Sequence, residues 1–124
     1  KYNLKKIVKI VHPLVREKMN FFLRKNSKKK MIVLDIPLLV ENSLYKKKDI
    51  LIFVESKKLK ITENLKKRKN YNKKIIENLR KSQKKLTYKK KLATYIIRND
   101  FKLSTIKKRV KFIKNQILYD RNSS

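Results

Sequence analysis

The stretch Met31-Ile-Val-Leu-Asp-Ile-Pro-Leu-Leu-Val-Glu41 constrains this chain more than any other. Four apolar residues closing on Asp35 read as a short, fully buried parallel strand with a carboxylate at its carboxyl end. Pro37 fixes its own φ and pushes Ile36 out of the helical region, so the chain leaves the strand in a defined direction. Ligands of open α/β sheets sit beyond the carboxyl ends of strands, which is where this reading puts Asp35. Ile50-Leu-Ile-Phe-Val54 is a second apolar run of the same kind, and Tyr95-Ile-Ile97 is a third. Such runs, alternating with helical patterns, predict an α/β fold whose parallel sheet is covered on both faces.

The segments between them repeat with a helical period. Leu4, Ile7, Val8 and Val11 predict an amphipathic helix that His12-Pro13 interrupts. Pro13 suits the first position of a second helix, where its missing N–H is not needed, and Val15, Met19, Phe22 and Leu23 carry that helix to about Lys25. A polar connector follows at 26–30, and 37–45 reads as a short helix or an ordered turn. Ser56 is the expected N-cap of a helix over 57–68, and Asn72 of one over 73–83. Asn70, between them, is expected at positive φ, which asparagine tolerates better than most residues. A short helical piece covers about 87–93. Leu103, Ile106, Val110, Ile113 and Ile117 then form an apolar stripe on a last helix, about 103–119.

Composition narrows the function classes. With Cys 0, disulfides, thiolate metal sites and a nucleophilic cysteine are excluded, which fits a reducing compartment. The apolar runs fall far short of the roughly 18–20 residues that a bilayer span requires. A cytoplasmic protein without a membrane partner is the expectation. The net charge of +29 raises nucleic acid as a partner. Three features argue against it. The cations are overwhelmingly lysine rather than arginine, they are spread over every polar face, and no aromatic platform is interleaved with them. Lysine also rises together with Ile and Asn, whose codons are likewise A/T-rich. No nucleic-acid partner is expected, although the charge should draw in anionic phosphorylated substrates.

His12-Pro-Leu-Val15 and Asp35-x-Pro-Leu-Leu-x-Glu41 come first, followed by the run at 49–54 and a basic helix ending at Arg68. Gln83, Lys89 and Ala93-Thr-Tyr-Ile-Ile-Arg-Asn99 complete the order. In this order and spacing, from about Leu4 to Leu118, the chain resembles the back two-thirds of the dephospho-coenzyme A kinases, a family of P-loop kinases. The resemblance implies a partial P-loop-kinase-like parallel sheet, with strands near 31–35, 49–54 and 94–97, flanking helices and a helical lid at about 68–90. All of it would lie within one incomplete kinase domain, 1–124. The family's phosphate-loop strand would lie between the first two of those strands. With Gly 0, no Gly-x-x-x-x-Gly-Lys-Ser/Thr loop exists in these residues, because only glycines let successive N–H groups approach the phosphates closely. The expectation is an N-terminally truncated enzyme. Its phosphate loop and base would lie upstream of Lys1, so these residues would include no catalytic residue and would not transfer phosphate by themselves.

The resemblance assigns roles that compete with plainer ones. His12, the single histidine, and Arg16, one turn on, would face the acceptor substrate; otherwise His12 is a helix-boundary residue before a proline. Asp35 would contact substrate or a Mg²⁺-bound water, or else form a turn before x-Pro. Glu41 would hold a ribose or pantetheine hydroxyl, or remain an exposed acid among lysines. Arg68 would stabilise charge on the transferring phosphoryl group, against the alternative of a solvated helix end. Ile61 and Asn64 stand where the family has Gln and Arg, which erodes the lid pattern. Asn99 would contact the adenine of ATP or form a turn in Arg98-Asn-Asp100, and Thr94 replaces the family's usual Asp. Gln83 and Lys89 match the lid pattern, but Lys89 is one of three consecutive lysines. The implied partners are dephospho-coenzyme A and ATP with Mg²⁺, no protein ligand being assigned to the metal. Another nucleoside or nucleotide kinase, or a basic nucleic-acid-binding module, is the alternative.

Overall fold

The protein is described by a computed structural model covering residues 2–122, with side chains from Pro13 to Arg121. It divides into two compact units, residues 1–37 and 38–124. In the first, one helix, α1 (Tyr2–Lys25), runs straight through Pro13, so the expected break at His12-Pro13 does not occur. A proline inside a helix forfeits one backbone hydrogen bond and crowds the preceding turn. The residues after it (Leu14, Arg16, Glu17, Lys18, Met19) are mostly good helix formers, and they carry the ladder on. Asn26 closes the helix: its side-chain amide and its backbone N–H both donate to the Phe22 carbonyl, at 2.9 and 3.1 Å. The apolar positions Leu4 to Val11 lie outside the described side chains.

Residues 31–36 have no regular secondary structure, a correction to the strand expected near 31–35. An apolar run can specify extended backbone, but a strand exists only through a partner's ladder. Among the described residues the one sheet is the pair formed further along. Val33 is 76% exposed, and Asp35 is exposed as well, so Asp35 does not mark the carboxyl end of a buried strand.

The second unit opens with an ordered turn, the second of the two forms expected there. Asn42 N–H donates to the Leu38 carbonyl (3.1 Å), Ser43 to Val40 (3.4 Å) and Leu44 to Leu39 (3.0 Å). Leu38 and Ser43 sit at φ 56° and 50°. Leu44, which closes the turn, is buried. Then β1 (Ile52–Ser56) pairs in parallel with β2 (Tyr95–Asn99), in a register running from Ile52↔Tyr95 to Ser56↔Asn99. β1 sits about two residues further along than its apolar run predicts, whereas β2 begins with its run at Tyr95 and continues two residues past it, to Asn99. The Thr94 hydroxyl accepts the Leu51 N–H (3.3 Å), and the Thr94 and Tyr95 N–H groups share the Leu51 carbonyl, which fixes where the ladder begins.

Four helices complete this unit: α2 (Lys58–Lys66), α3 (Lys73–Ser82), α4 (Leu86–Leu92) and α5 (Leu103–Asn122). Asn72 caps α3 as expected, its Oδ1 accepting the Ile75 N–H at 3.1 Å. Ser56 does not cap α2; it is the last residue of β1, and Lys57 takes the cap position without a side-chain bond. Asn70 is not among the residues at positive φ. The chain turns there through hydrogen bonds from Arg68 N–H to Leu65 and from Tyr71 N–H to Arg68, which need no left-handed residue. The stripe on α5 is used at its centre: Ile113 is buried against the sheet with Ile97, whereas Leu103 is 68% exposed. The architecture is α/β, with five helices and a two-stranded parallel sheet among the described residues.

Candidate functional site

Glu41 is the most organised acid among those singled out from the sequence. Its Oε1 accepts the Lys84 N–H at 3.0 Å and lies 2.6 Å from the Lys89 ammonium. The two side chains of that ion pair are only 11% and 17% exposed. Burial alone would raise the Glu41 carboxyl. The hydrogen bonds from Lys89 and from the Glu41 and Lys84 backbone, with the charge of Lys89, outweigh it and bring the carboxyl below its usual range. Glu41 is therefore neither a lone exposed acid nor a freely offered hydroxyl acceptor. It binds the 38–44 turn to α4.

The next residue of α4 makes a parallel contact. Lys90 pairs with Glu55 of β1 at 2.7 Å, and the Arg98 guanidinium stands 3.7 Å from the other oxygen of the same carboxylate. The Glu55 carboxyl is held below its usual range mainly by the Lys90 hydrogen bond. Lys84 turns its own ammonium over the Tyr88 ring, 4.9 Å from the centroid. Consecutive lysines on α4 thus serve two different carboxylates, one on the turn and one on the sheet.

At the carboxyl end of β2, Asn99 Oδ1 accepts the Phe101 N–H (2.8 Å), and Asp100 Oδ1 accepts the Lys102 N–H (3.0 Å). The carboxyl of Asp100 is lowered chiefly by that bond. Phe101 takes φ 64°, so the turn is a tight one and the Asn99 side-chain oxygen is committed to it. The Arg109 guanidinium donates to the Arg98 carbonyl, tying α5 to the end of β2. Beside it an open groove of about 600 Å³ is floored by Tyr95, Ile96, Phe112 and Ile113.

Of the sequence-derived candidates, Glu41, Arg68 and Asn99 belong to the second unit. Arg68 is solvent-exposed in the turn after α2. Arg16 and Asp35 are exposed residues of the first unit, and the His12 side chain lies outside the described residues. Sequence reasoning missed the partners: Lys84, Lys90, Glu55 and Arg109. The available signal was scarcity, since 9 acids face 38 cations and each buried or half-buried acid has many suitors. No cluster of three or more acidic or histidine side chains suited to a metal occurs among the described residues. Mg²⁺ is ordinarily held by one or two carboxylates with substrate phosphates and water. A single exposed Asp35 fits an ion that arrives with nucleotide phosphates, not one caged by protein. Among the described residues no helix is long and apolar enough to cross a membrane.

Comparison with known proteins agrees with the order of motifs. The dephospho-CoA kinase family profile matches residues 1–105. A dephospho-CoA kinase of Bacillus anthracis is 40% identical over 94 residues, 74% of this chain and 47% of that protein. One from Wolbachia pipientis wMel is 31% identical over 97 residues, 77% of this chain and 49% of that protein. One from Leptospira interrogans serovar copenhageni is 29% identical over 116 residues, 93% of this chain and 56% of that protein. The chain spans about half the length of these curated relatives. With a profile covering most of its residues and an α/β architecture in keeping, the chain belongs to the dephospho-CoA kinase family.

Proposed function

We propose that the protein containing these residues phosphorylates the ribose 3′-hydroxyl of dephospho-coenzyme A with ATP, in the cytoplasm, as the kinase step of coenzyme A synthesis. The observation that carries this reading is the family match over residues 1–105, which includes every residue assigned a role. Residues 1–124 act as one incomplete kinase domain, with a lid at about 68–90 and its C-terminal helix packed on the sheet. Mg²⁺, entering with ATP, supplies charge neutralisation at the phosphates.

The side chains divide the work by charge. His12 and Arg16 of α1 face the acceptor with Asp35, whose carboxylate takes a hydroxyl or a metal-bound water. Glu41 supports the acceptor turn, and any hydroxyl it holds must share a carboxylate already engaged by Lys89. The Arg68 guanidinium, unburied and always charged, meets the charge that spreads over the transferring phosphoryl oxygens. Asn99 has its side-chain oxygen engaged by the Phe101 N–H, so its contact with adenine comes from the amide NH₂, which donates to a ring nitrogen.

Calorimetric titration of dephospho-coenzyme A into the chain tests this reading. Saturable binding is expected, weakened by R16A and by D35N. Because no glycine is present to build a phosphate loop, no transfer from ATP is expected from these residues alone. Duplex DNA serves as the control. Affinity for DNA that falls steeply with salt, together with no response to dephospho-coenzyme A, would replace the kinase reading with a nucleic-acid-binding one.

A further inference from the structure

The 38–44 turn cannot rest easily by itself. It places Leu38 and Ser43 in the left-handed region, which is unfavourable for a residue with a Cβ. What opposes that cost is the burial of Leu44 and the ion pair to a helix more than forty residues along the chain. Glu41 Oε1 receives both the Lys89 ammonium and the Lys84 N–H, so one oxygen ties the turn to α4 and to the segment that leads into it. The pair is far better shielded than the Lys90–Glu55 pair next to it, whose side chains are 42% and 38% exposed, so water and salt screen it less.

We propose that Lys89 is a positioning residue, which through Glu41 fixes the acceptor turn to lid helix α4 so that the two move as one body. The functional half of this statement rests on the kinase reading above; the coupling itself does not. The groups facing the Glu41 carboxylate are the Lys89 ammonium from α4, the Lys84 backbone N–H and the backbone N–H of Glu41 itself, with the Lys84 ammonium drawn off to Tyr88. Glu41 is ionised through the neutral range, and the coupling should weaken as acid protonates it.

Hydrogen exchange on the 124-residue chain tests the proposal. K89M should speed exchange at the Asn42, Ser43 and Leu44 amides and through 86–92 by about tenfold, the loss expected for one charge-assisted hydrogen bond. Exchange in β2 and the middle of α5 should not change. E41Q should act in the same direction but less, since its amide oxygen still accepts, and E41K with K89E should restore the part of the protection that the ion pair supplies, the Lys84 N–H being left without its acceptor. In the unmodified chain, protection of 42–44 should fall as pH drops below the ordinary carboxyl range, and in E41Q it should be flat there. Unchanged exchange at 42–44 in K89M, or an equal rise across β2 and α5, overturns the proposal. Coupling without dephospho-coenzyme A binding would refute the acceptor reading and keep the positioning role. Binding without coupling would do the reverse.

Discussion

Helices α2 and α4 are of similar length and equally devoid of buried residues, yet they are held in opposite ways. The ion pair of α2 joins Lys60 to Glu63 within the helix, at 3.0 Å, with both side chains more than half exposed. The Thr62 hydroxyl likewise bonds back to the Lys58 carbonyl of the same helix. In α4 the pairs reach outward, from Lys89 to Glu41 and from Lys90 to Glu55. A pair inside a helix favours helicity but says nothing about where the helix lies. A pair between elements can fix its position. In a chain with 9 acids and 38 cations, the placement of the acids decides which helix is docked.

The strongest way to break this contrast is to remove the frame beneath it. Ile97 of β2 and Ile113 of α5 are each 7% exposed and, with Leu44, are the buried apolar residues among those described. Ile97→Ala should cost about 2–5 kcal/mol in urea denaturation, since it deletes buried methyl groups and leaves a void. Hydrogen exchange should then rise throughout the sheet and in α4, which loses the β1 anchor at Glu55. The local pair of α2 does not depend on that frame. An α4 that keeps its protection while the sheet opens would mean that the Lys90–Glu55 pair does not dock it.

Acid probes the same contrast more gently. The Glu41 carboxyl is depressed below its ordinary value of 4.5. A depressed folded value means that the stabilisation is complete above the unfolded value and is lost as pH falls through the folded one. Thermal unfolding between pH 6 and pH 3 should therefore show a loss in the unmodified chain that is smaller in E41Q. At neutral pH, E41Q should cost about 1–2 kcal/mol, since it strips the charge from a mostly shielded acceptor of two hydrogen bonds. Equal pH slopes for the two proteins would place the titration elsewhere.

Helix α3 supplies an intermediate case, anchored at its start by its own sequence. Asn72→Ala removes the side-chain bond to the Ile75 N–H and should cost about 1 kcal/mol, read as faster exchange in the first turn of α3. This cap is legible in the sequence, because capping is a local property of a few neighbouring residues. The α/β class, the apolar stripe of the last helix and the parallel pairing are legible for a similar reason: periodicity records which face seeks cover. The strand expected at 31–35 is a different matter, because an apolar run cannot name its partner, and none of the described strands is one. Nor does the sequence announce the unbroken α1, where a single lost hydrogen bond at Pro13 is outweighed by good helix formers beyond it. In the candidate site, Glu41 is legible as a residue but not as half of a pair. Lys89 matches the family pattern, yet Lys90 and Lys91 beside it have the same chemistry, and only the helix's orientation separates the targets of Lys89 and Lys90.

The smallest effect should come from α2 itself. Lys60→Ala deletes an exposed i, i+3 pair and should cost about 0.2–0.5 kcal/mol, less still at high salt. The loss should appear as faster exchange within 58–66 and nowhere else, because that pair reaches no other element. The matching experiment on α4 is Lys90→Ala, which removes a pair exposed to a lesser degree but spanning two elements. If position rather than helicity is what its ion pairs confer on α4, Lys90→Ala should disturb exchange on β1 as well as on α4. Lys60→Ala should leave every strand as it was. A spread of the Lys60→Ala effect into the sheet would erase the distinction between the two helices, and with it the idea that the scarce acids of this chain serve to dock its helices.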